Sequence, residues 1–280
     1  MSFSRTVSVG LVQFSSILGD KQANLKTALQ AIDKIADQRA KVIVLPELWL
    51  TGYLAGRKFR ELAETIPGAA TRVMAERAQT LGAYLLLGSI PEKGEFDKLY
   101  NTSPVISPKG RIILKHRKVH LWRNYEKKYF LAGDEFRVAD TSFAKIGLAI
   151  CHDVDFPEVP RTLALKGAEI LFCPSAYPSP FEKDWDVILA ASAIQNHAFL
   201  VAVNHIGDEA GNLASNYFSH GVHFFGKSKV VSPSGETLLE MRSDSNNTEV
   251  ALVELNLEEV RRYRNSANSF FAQRRPETYI

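Results

Sequence analysis

The feature that most limits what this chain can become is a series of short apolar runs, each closed by polar or turn-forming residues. Residues 42–45 (VIVL) are the clearest of them and read as a strand with both faces covered. Leu25, Leu29, Ile32 and Ile35 come before it at spacings of three or four, which is one face of an amphipathic helix. Residues 7–14 read as a first strand, 71–81 as a helix closed by Gly82, and 83–90 as another buried strand. The series continues with strands at 143–150, 169–173 and 199–204, and helices at 157–166 and 184–197. Two strand pairs interrupt it. Residues 99–107 and 111–116 flank "PKG", and 222–231 and 237–241 flank "SPSG", so both pairs read as hairpins. A strand at 249–255, a short helix and a charged tail follow. Strands alternating with helices predict an α/β fold. The hairpins predict mixed rather than purely parallel sheets. No short-period repeat or low-complexity linker divides residues 1–280, which are expected to form one domain.

Composition narrows the partners. A chain of 280 residues with 45% hydrophobic content can bury a large core. Its net charge of +3 is the small difference between 34 basic and 31 acidic side chains, which gives no pull toward nucleic acid or an anionic membrane. Residues 109–123 hold six Lys or Arg and two His. A nucleic-acid stripe needs further basic surface, so this run reads as a solvated or pocket-lining face. No apolar run approaches the roughly 20 residues that cross a bilayer. The N-terminal stretch lacks the long apolar region and small-residue cleavage site of a secretory signal. Cys151 and Cys173 are the only cysteines, so no disulfide framework is expected and a reducing cytoplasm is the default.

Three polar residues stand just past expected strand ends: Glu47, Lys118 and Cys151. In open α/β sheets, ligands bind at the carboxyl ends of strands. A thiol with a pKa near about 8.5 is mostly protonated at neutral pH. Its thiolate is the nucleophile, so it needs a base or a positive neighbour. A carboxylate in a dry pocket has a raised pKa and can take the thiol proton. An ammonium beside both stabilises the anion formed when sulfur attacks a carbonyl. The main-chain N–H of His152 is a candidate second donor, and one such donor is worth about 3 kcal/mol of barrier. These are the parts of acyl transfer through a thioester. On residue type alone the alternatives stay open. Cys151 also fits a packed core thiol, Glu47 a solvated loop carboxylate, and Lys115 is a local rival to Lys118.

"PELWLTGY", "KHRKVHLW" and "ICHDVDFPEVPR" resemble the three signature blocks of the nitrilase, or carbon–nitrogen hydrolase, superfamily, in the family's order. "NYEKKYFLAGDEF" resembles the segment that carries the family's second glutamate, here Glu126, and "FFGKSKVVSPSGE" and "RRPETY" resemble later blocks. The likeness covers essentially the whole chain. It implies an αββα four-layer sandwich of two mixed β-sheets flanked by helices. It implies no metal and no organic cofactor, and assembly through outer helices into homodimers or larger homo-oligomers, with the 262–280 tail in the contacts. It makes Cys151 the nucleophile, Glu47 the general base and acid, and Lys118 the oxyanion-stabilising cation. Glu126 would position the substrate or Lys118, and Cys173 remains a buried structural residue.

Departures from the family pattern sharpen the reading. Members often carry Arg-Ala-Ile-Glu-Asn before a late strand, where this chain has Ser192, Ala193, Ile194, Gln195 and Asn196. A charge pair is lost there, away from the trio. After the cysteine, true nitrilases tend to carry Trp then Glu; His152 and Asp153 are closer to the amidase and carbamoylase branches. His152, Asp155, Tyr53 and Tyr177 are the candidate substrate contacts. Asp155 fits either a substrate's distal amine or a cap or loop contact. Tyr53, Tyr177, Trp122 and Trp185 fit either pocket wall or core. His116 with His120, and His220 with His223, have spacings a metal can use. Without a cysteine pair or a His-Glu-x-x-His context they read as polar packing. The expected activity is hydrolysis of a small linear carboxamide to its acid and ammonia. The alternatives are an N-carbamoyl (ureido) amidohydrolase releasing CO2 and ammonia, and a non-catalytic oligomeric binding or scaffold relative. A redox role lacks the Cys-x-x-Cys it would need.

Overall fold

The computed structural model describes residues 5–210, 221–242 and 247–279. The chain begins β1 (Thr6–Gln13), α1 (Lys21–Ala36), β2 (Val42–Val44), α2 (Phe59–Leu62) and α3 (Ala69–Leu81). It continues through β3 (Tyr84–Leu86), β4 (Ile90–Lys93), β5 (Leu99–Ile106), β6 (Ile112–Arg117) and α4 (Arg123–Tyr129). Then come β7 (Val138–Asp140), β8 (Lys145–Leu148), α5 (Glu158–Leu165), β9 (Ile170–Pro174), α6 (Glu182–Asn196) and β10 (Phe199–Val203). The rest is β11 (Ile206–Glu209), β12 (Val222–Phe225), β13 (Lys229–Val231), β14 (Thr237–Glu240), β15 (Glu249–Asn256) and α7 (Glu258–Arg264).

Among the described residues, seven strands form one sheet in the order β15-β1-β2-β3-β5-β4, with β6 on β5. Six form a second, β14-β13-β10-β9-β8-β7. Both are mixed. β2 runs parallel to β1 and β3, and β8, β9 and β10 run parallel to one another, while β15 is antiparallel to β1 along its whole length.

The apolar runs explain the layering. Val9 and Leu11 of β1 and Val42 and Val44 of β2 point between the sheets, where they meet Ile146, Leu148, Ile170 and Phe172. Their neighbours Val12 and Ile43 point the other way, onto Ile32 and Ile35 of α1 and Met74 and Ala78 of α3. Across the molecule, Leu171 and Leu200 face Leu163 of α5 and Leu189 of α6. Strands buried on both faces need no polar alternation, and each such Val or Leu stabilises the fold by about 1.5–3 kcal/mol. The result is the αββα sandwich. Gly10 lets α1 lie directly on β1, since a Cβ there would sit 2.7 Å from Ile35 Cγ1. Asp20 caps α1 by accepting the Ala23 N–H at 2.9 Å, and Gly82, with φ 62°, ends α3 as its position predicts.

Two expected strands are each broken in two. The 83–90 run divides into β3 and β4 at Gly88, where φ is +50° and a Cβ would stand 1.8 Å from the Pro46 carbonyl oxygen. The segment leading to Glu47 crosses directly over this glycine, a close approach that apolar continuity does not reveal. The 222–231 run breaks at Gly226 (φ 72°) and Lys227 (φ 55°). Its first part, β12, pairs with β11 in a separate two-stranded sheet, and only β13 and β14 form the hairpin around "SPSG". The short elements α2, α4, β7 and β11 had no sequence-based expectation. Among the described residues, no helix is long and apolar enough to cross a membrane.

Candidate active site

Glu47 lies beyond β2, Lys118 directly beyond β6, and Cys151 beyond β8. The first two strands belong to one sheet and the third to the other. Sheet packing brings the three together, although they are far apart in sequence. Lys118 Nζ donates to Glu47 Oε1 at 2.8 Å and to Glu126 Oε1 at 2.7 Å, and all three side chains are fully buried. Asn101 Nδ2 at 2.7 Å and the Ala176 N–H at 2.9 Å hold the Glu47 carboxylate. Glu126, on α4, accepts the Trp122 N–H at 2.7 Å and the Tyr53 hydroxyl at 3.0 Å. A buried ion without partners is driven to its neutral form; here one ammonium is shared between two carboxylates, each of which also accepts two further hydrogen bonds.

These contacts set the protonation states. Burial alone would lower the Lys118 pKa, but the charges of Glu126 and Glu47 outweigh it and hold the ammonium well above the usual lysine value. Burial raises Glu126 above the usual carboxylate range against the pull of Lys118. Burial, then the charge of Glu47, pushes the Cys151 thiol well up, with Lys118 opposing. The resting sulfur therefore keeps its proton and needs a base beside it.

The backbone is strained where the chemistry gathers. Cys151 has φ 48° and opens the tight turn Cys151–Asp155, and Leu48, next to Glu47, has φ 47°. Such left-handed non-glycine residues cost about 1–3 kcal/mol each and persist only where the surroundings over-determine them. The brace on the Glu47 side is His205. Its Nε2 lies 2.5 Å from the Glu47 carbonyl oxygen and its Nδ1 lies 3.0 Å from that of Phe14.

A cavity of 250 Å³ opens beside the sulfur. Of the four buried groups only Cys151 reaches its wall, with Tyr53, Trp122, Tyr177, Phe181 and Ile188 supplying apolar surface and Arg123, His152, Asp155 and Asp184 the charged or titratable groups. All four candidate substrate contacts, Tyr53, His152, Asp155 and Tyr177, thus line it. Asp155 is already engaged, its Oδ2 lying 2.7 Å from His152 Nδ1 and its Oδ1 accepting the Tyr177 hydroxyl at 3.0 Å. Trp185 is core, its ring tilted against Tyr177 and edge-on to Phe225.

Other candidates go elsewhere. Lys115 Nζ bonds Glu92 Oε1 at 2.6 Å, away from the cluster. Cys173 is buried in the second sheet, and burial pushes its thiol up to about 12. His116 and His120 both turn to Asp153, His223 pairs with Asp208 at 2.7 Å, and His220 lies outside the described residues. The sequence reading missed Asn101, His205, Arg123, Phe181, Asp184 and Ile188. For Asn101 the available signal was a polar residue within a β-forming run; the others carry no local mark.

Two mixed sheets between helix layers, with a carboxylate–ammonium–carboxylate cluster beside a strained cysteine, define the class. The chain belongs to the carbon-nitrogen hydrolase family, whose sequence profile matches residues 8–265. It is 36% identical over 279 residues to a nitrilase of Pyrococcus abyssi, covering 98% of this chain and 99% of that one. It is 33% identical over 245 residues to an omega-amidase of Xenopus laevis, with 84% of each covered. Among solved structures, a carbon-nitrogen hydrolase from Helicobacter pylori G27 superposes with a TM-score of 0.89 at 29% identity, over 99% of this chain and 97% of that one. A glutamate-to-glutamine mutant of an amidase from Nesterenkonia sp. AN1 superposes at 0.82 and 25% identity, over 98% and 95% of the two chains, and carries the acetamide moiety of fluoroacetamide covalently added at its active-site cysteine.

Proposed function

We propose that this carbon-nitrogen hydrolase is an amidase that converts a small linear carboxamide to its carboxylic acid and ammonia through a thioester on Cys151. The observation that carries the reading is the Lys118 ammonium, 2.8 Å from Glu47 and 2.7 Å from Glu126, beside a buried thiol at a cavity wall. Omega-amidase relatives and the cysteine adduct of the Nesterenkonia amidase support it. Glu47 takes the proton from the Cys151 sulfur as the sulfur attacks the amide carbon. The C=O π electrons pass to oxygen, and Lys118 Nζ and the His152 main-chain N–H stabilise the oxyanion. Glu47 returns the proton to nitrogen, the C–N bond breaks and ammonia leaves. Glu47 then draws a proton from water as it attacks the thioester, and the acid departs with regeneration of the thiol. Glu126 keeps Lys118 aimed and charged. At 250 Å³ the cavity fits a short acyl group.

The test is an ammonia-release screen over short aliphatic, amino-substituted, dicarboxylic mono- and aryl amides, with nitriles and ureido acids alongside. Turnover of an amide, abolished in a folded Cys151→Ala variant, is expected. Undiminished hydrolysis by that variant overturns the reading, and CO2 release from ureido acids alone would replace the substrate class.

A further inference from the structure

Asp153, two residues past Cys151, is fully buried, and its carboxylate meets four donors. Oδ2 accepts the Ile150 main-chain N–H at 3.0 Å and lies 3.2 Å from His116 Nε2. Oδ1 accepts the His120 main-chain N–H at 2.8 Å and lies 2.9 Å from His120 Nδ1. Ile150 immediately precedes Cys151, and His116 and His120 stand on either side of Lys118. One of the four bonds merely closes the local turn. The others cross sequence separations of 33 and 37 residues, from the turn of one sheet to the strand end of the other.

The protonation pattern fits a fixed acceptor. An ionised carboxylate only accepts, so the His116 Nε2 that faces it donates. The buried His116 Nδ1 has no hydrogen-bond partner among the described residues, so the ring is held through Nε2. Burial alone would raise the Asp153 pKa, but the bonds from His116 and His120 outweigh it and hold the group ionised.

We propose that Asp153 is a positioning residue whose carboxylate fixes the Cys151 sulfur and the Lys118 ammonium relative to each other across the two sheets. The proposal rests on Cys151 being the nucleophile. The strained φ of 48° at Cys151 needs just such an external restraint. The groups whose charges act on the sulfur are Glu47, Lys118, Cys173 and Glu126, and the Tyr53 and Tyr177 hydroxyls also interact with it.

Asp153→Asn tests the tie. Whichever way the amide turns, its NH2 faces a main-chain N–H, either that of Ile150 or that of His120, and neither can reverse its polarity. One of the two segments must come loose. The readout is alkylation of Cys151 by iodoacetamide, followed by mass spectrometry. It needs an aligned thiolate and no amide turnover, so failure here is distinct from failure of the amidase reading. The maximal alkylation rate is expected to fall about tenfold or more while the half-saturating concentration stays within about threefold. The midpoint of the rate–pH profile should rise by about half a unit, because Lys118 no longer sits squarely beside the sulfur. If Asp153 acted only as a nearby negative charge, its removal would lower that midpoint. A lowered midpoint, or an unchanged rate, overturns the proposal. Should Asp153→Asn fail to fold, His120→Phe keeps the stack on Phe156, 3.9 Å between ring centroids, and removes only the ring bond to Oδ1. A roughly threefold fall in maximal rate at unchanged half-saturation is expected for so small a displacement, and no fall overturns the proposal.

Discussion

In the proposed mechanism Glu47 acts twice, first accepting the thiol proton and later giving it to the departing nitrogen. Its surroundings suit both steps. The ammonium of Lys118 and the amide of Asn101 share Oε1, and the Ala176 N–H bonds Oε2, so the carboxylate is held at both oxygens. Glu47→Gln retains an acceptor and nearly the same shape but cannot carry the proton. Ammonia release at neutral pH is expected to fall by about 10²–10⁴-fold with the protein still folded. A loss of less than about tenfold would assign the relay to another group. The same residue shows why the trio was legible in the sequence. A carboxylate, an ammonium and a thiol at three strand ends are unusual enough to be read individually, and the resemblance to the family blocks is what favours a nucleophile over a core thiol. Asn101 and His205 were not legible. Asn101 is one polar residue inside β5 and His205 one between β10 and β11, and only the tertiary fold aims each at Glu47.

At the scale of elements, the strands easiest to read were those whose apolar runs end at a chemical boundary. The strands that misled were those in which a left-handed residue divides one run into two partners, at Gly88 and at Gly226–Lys227. The second break creates the β11–β12 hairpin, and that hairpin reaches the site through Glu209. Its carboxylate accepts the Tyr53 N–H at 3.0 Å and the Leu54 N–H at 2.5 Å, and Tyr53 in turn donates to Glu126. Burial raises the Glu209 pKa from 4.5 to about 7, against the pull of those two N–H groups. The folded state thus binds this proton more tightly than the unfolded chain does. The stabilisation is complete below the unfolded value and is lost as pH rises through about 7. At about 1.4 kcal/mol per pKa unit it amounts to roughly 3 kcal/mol. Glu209→Gln cannot titrate. Measured by urea unfolding, the stability of the natural protein relative to this variant should fall by about 3 kcal/mol between about pH 4.5 and about pH 8. A difference independent of pH would remove Glu209 from the account.

For the whole molecule, what matters is that neither sheet contains the site. Glu47, Lys118 and Glu126 follow strands of the first sheet and Cys151 follows a strand of the second, with Asp153 bridging them. The outer faces raise a separate matter. Leu165, Val187, Ile194 and Phe270 are exposed on α5, α6 and the tail, and the tail is anchored at the end of α6, where the Phe270 N–H bonds His197 Nε2 at 3.1 Å. We propose that a second copy covers this face. Light scattering should give at least twice the mass of one chain, and Val187→Lys with Ile194→Lys should return it to one; an unchanged mass would move the interface elsewhere. Within each copy, the two-sheet construction dictates how activity is lost. Trp49 is buried between the first sheet and its helices, and Trp185 between the second sheet and α6, so tryptophan fluorescence reports both halves. A site made by packing one sheet on the other cannot outlive that packing, and neither half has reason to open first. At fixed protein concentration, the urea midpoints for amide hydrolysis, tryptophan fluorescence and far-ultraviolet circular dichroism should therefore coincide. Activity lost well below the other two midpoints would mean that the Cys151 turn melts while both sheets stay paired, and the tie through Asp153 would then be too weak to hold the sulfur in place.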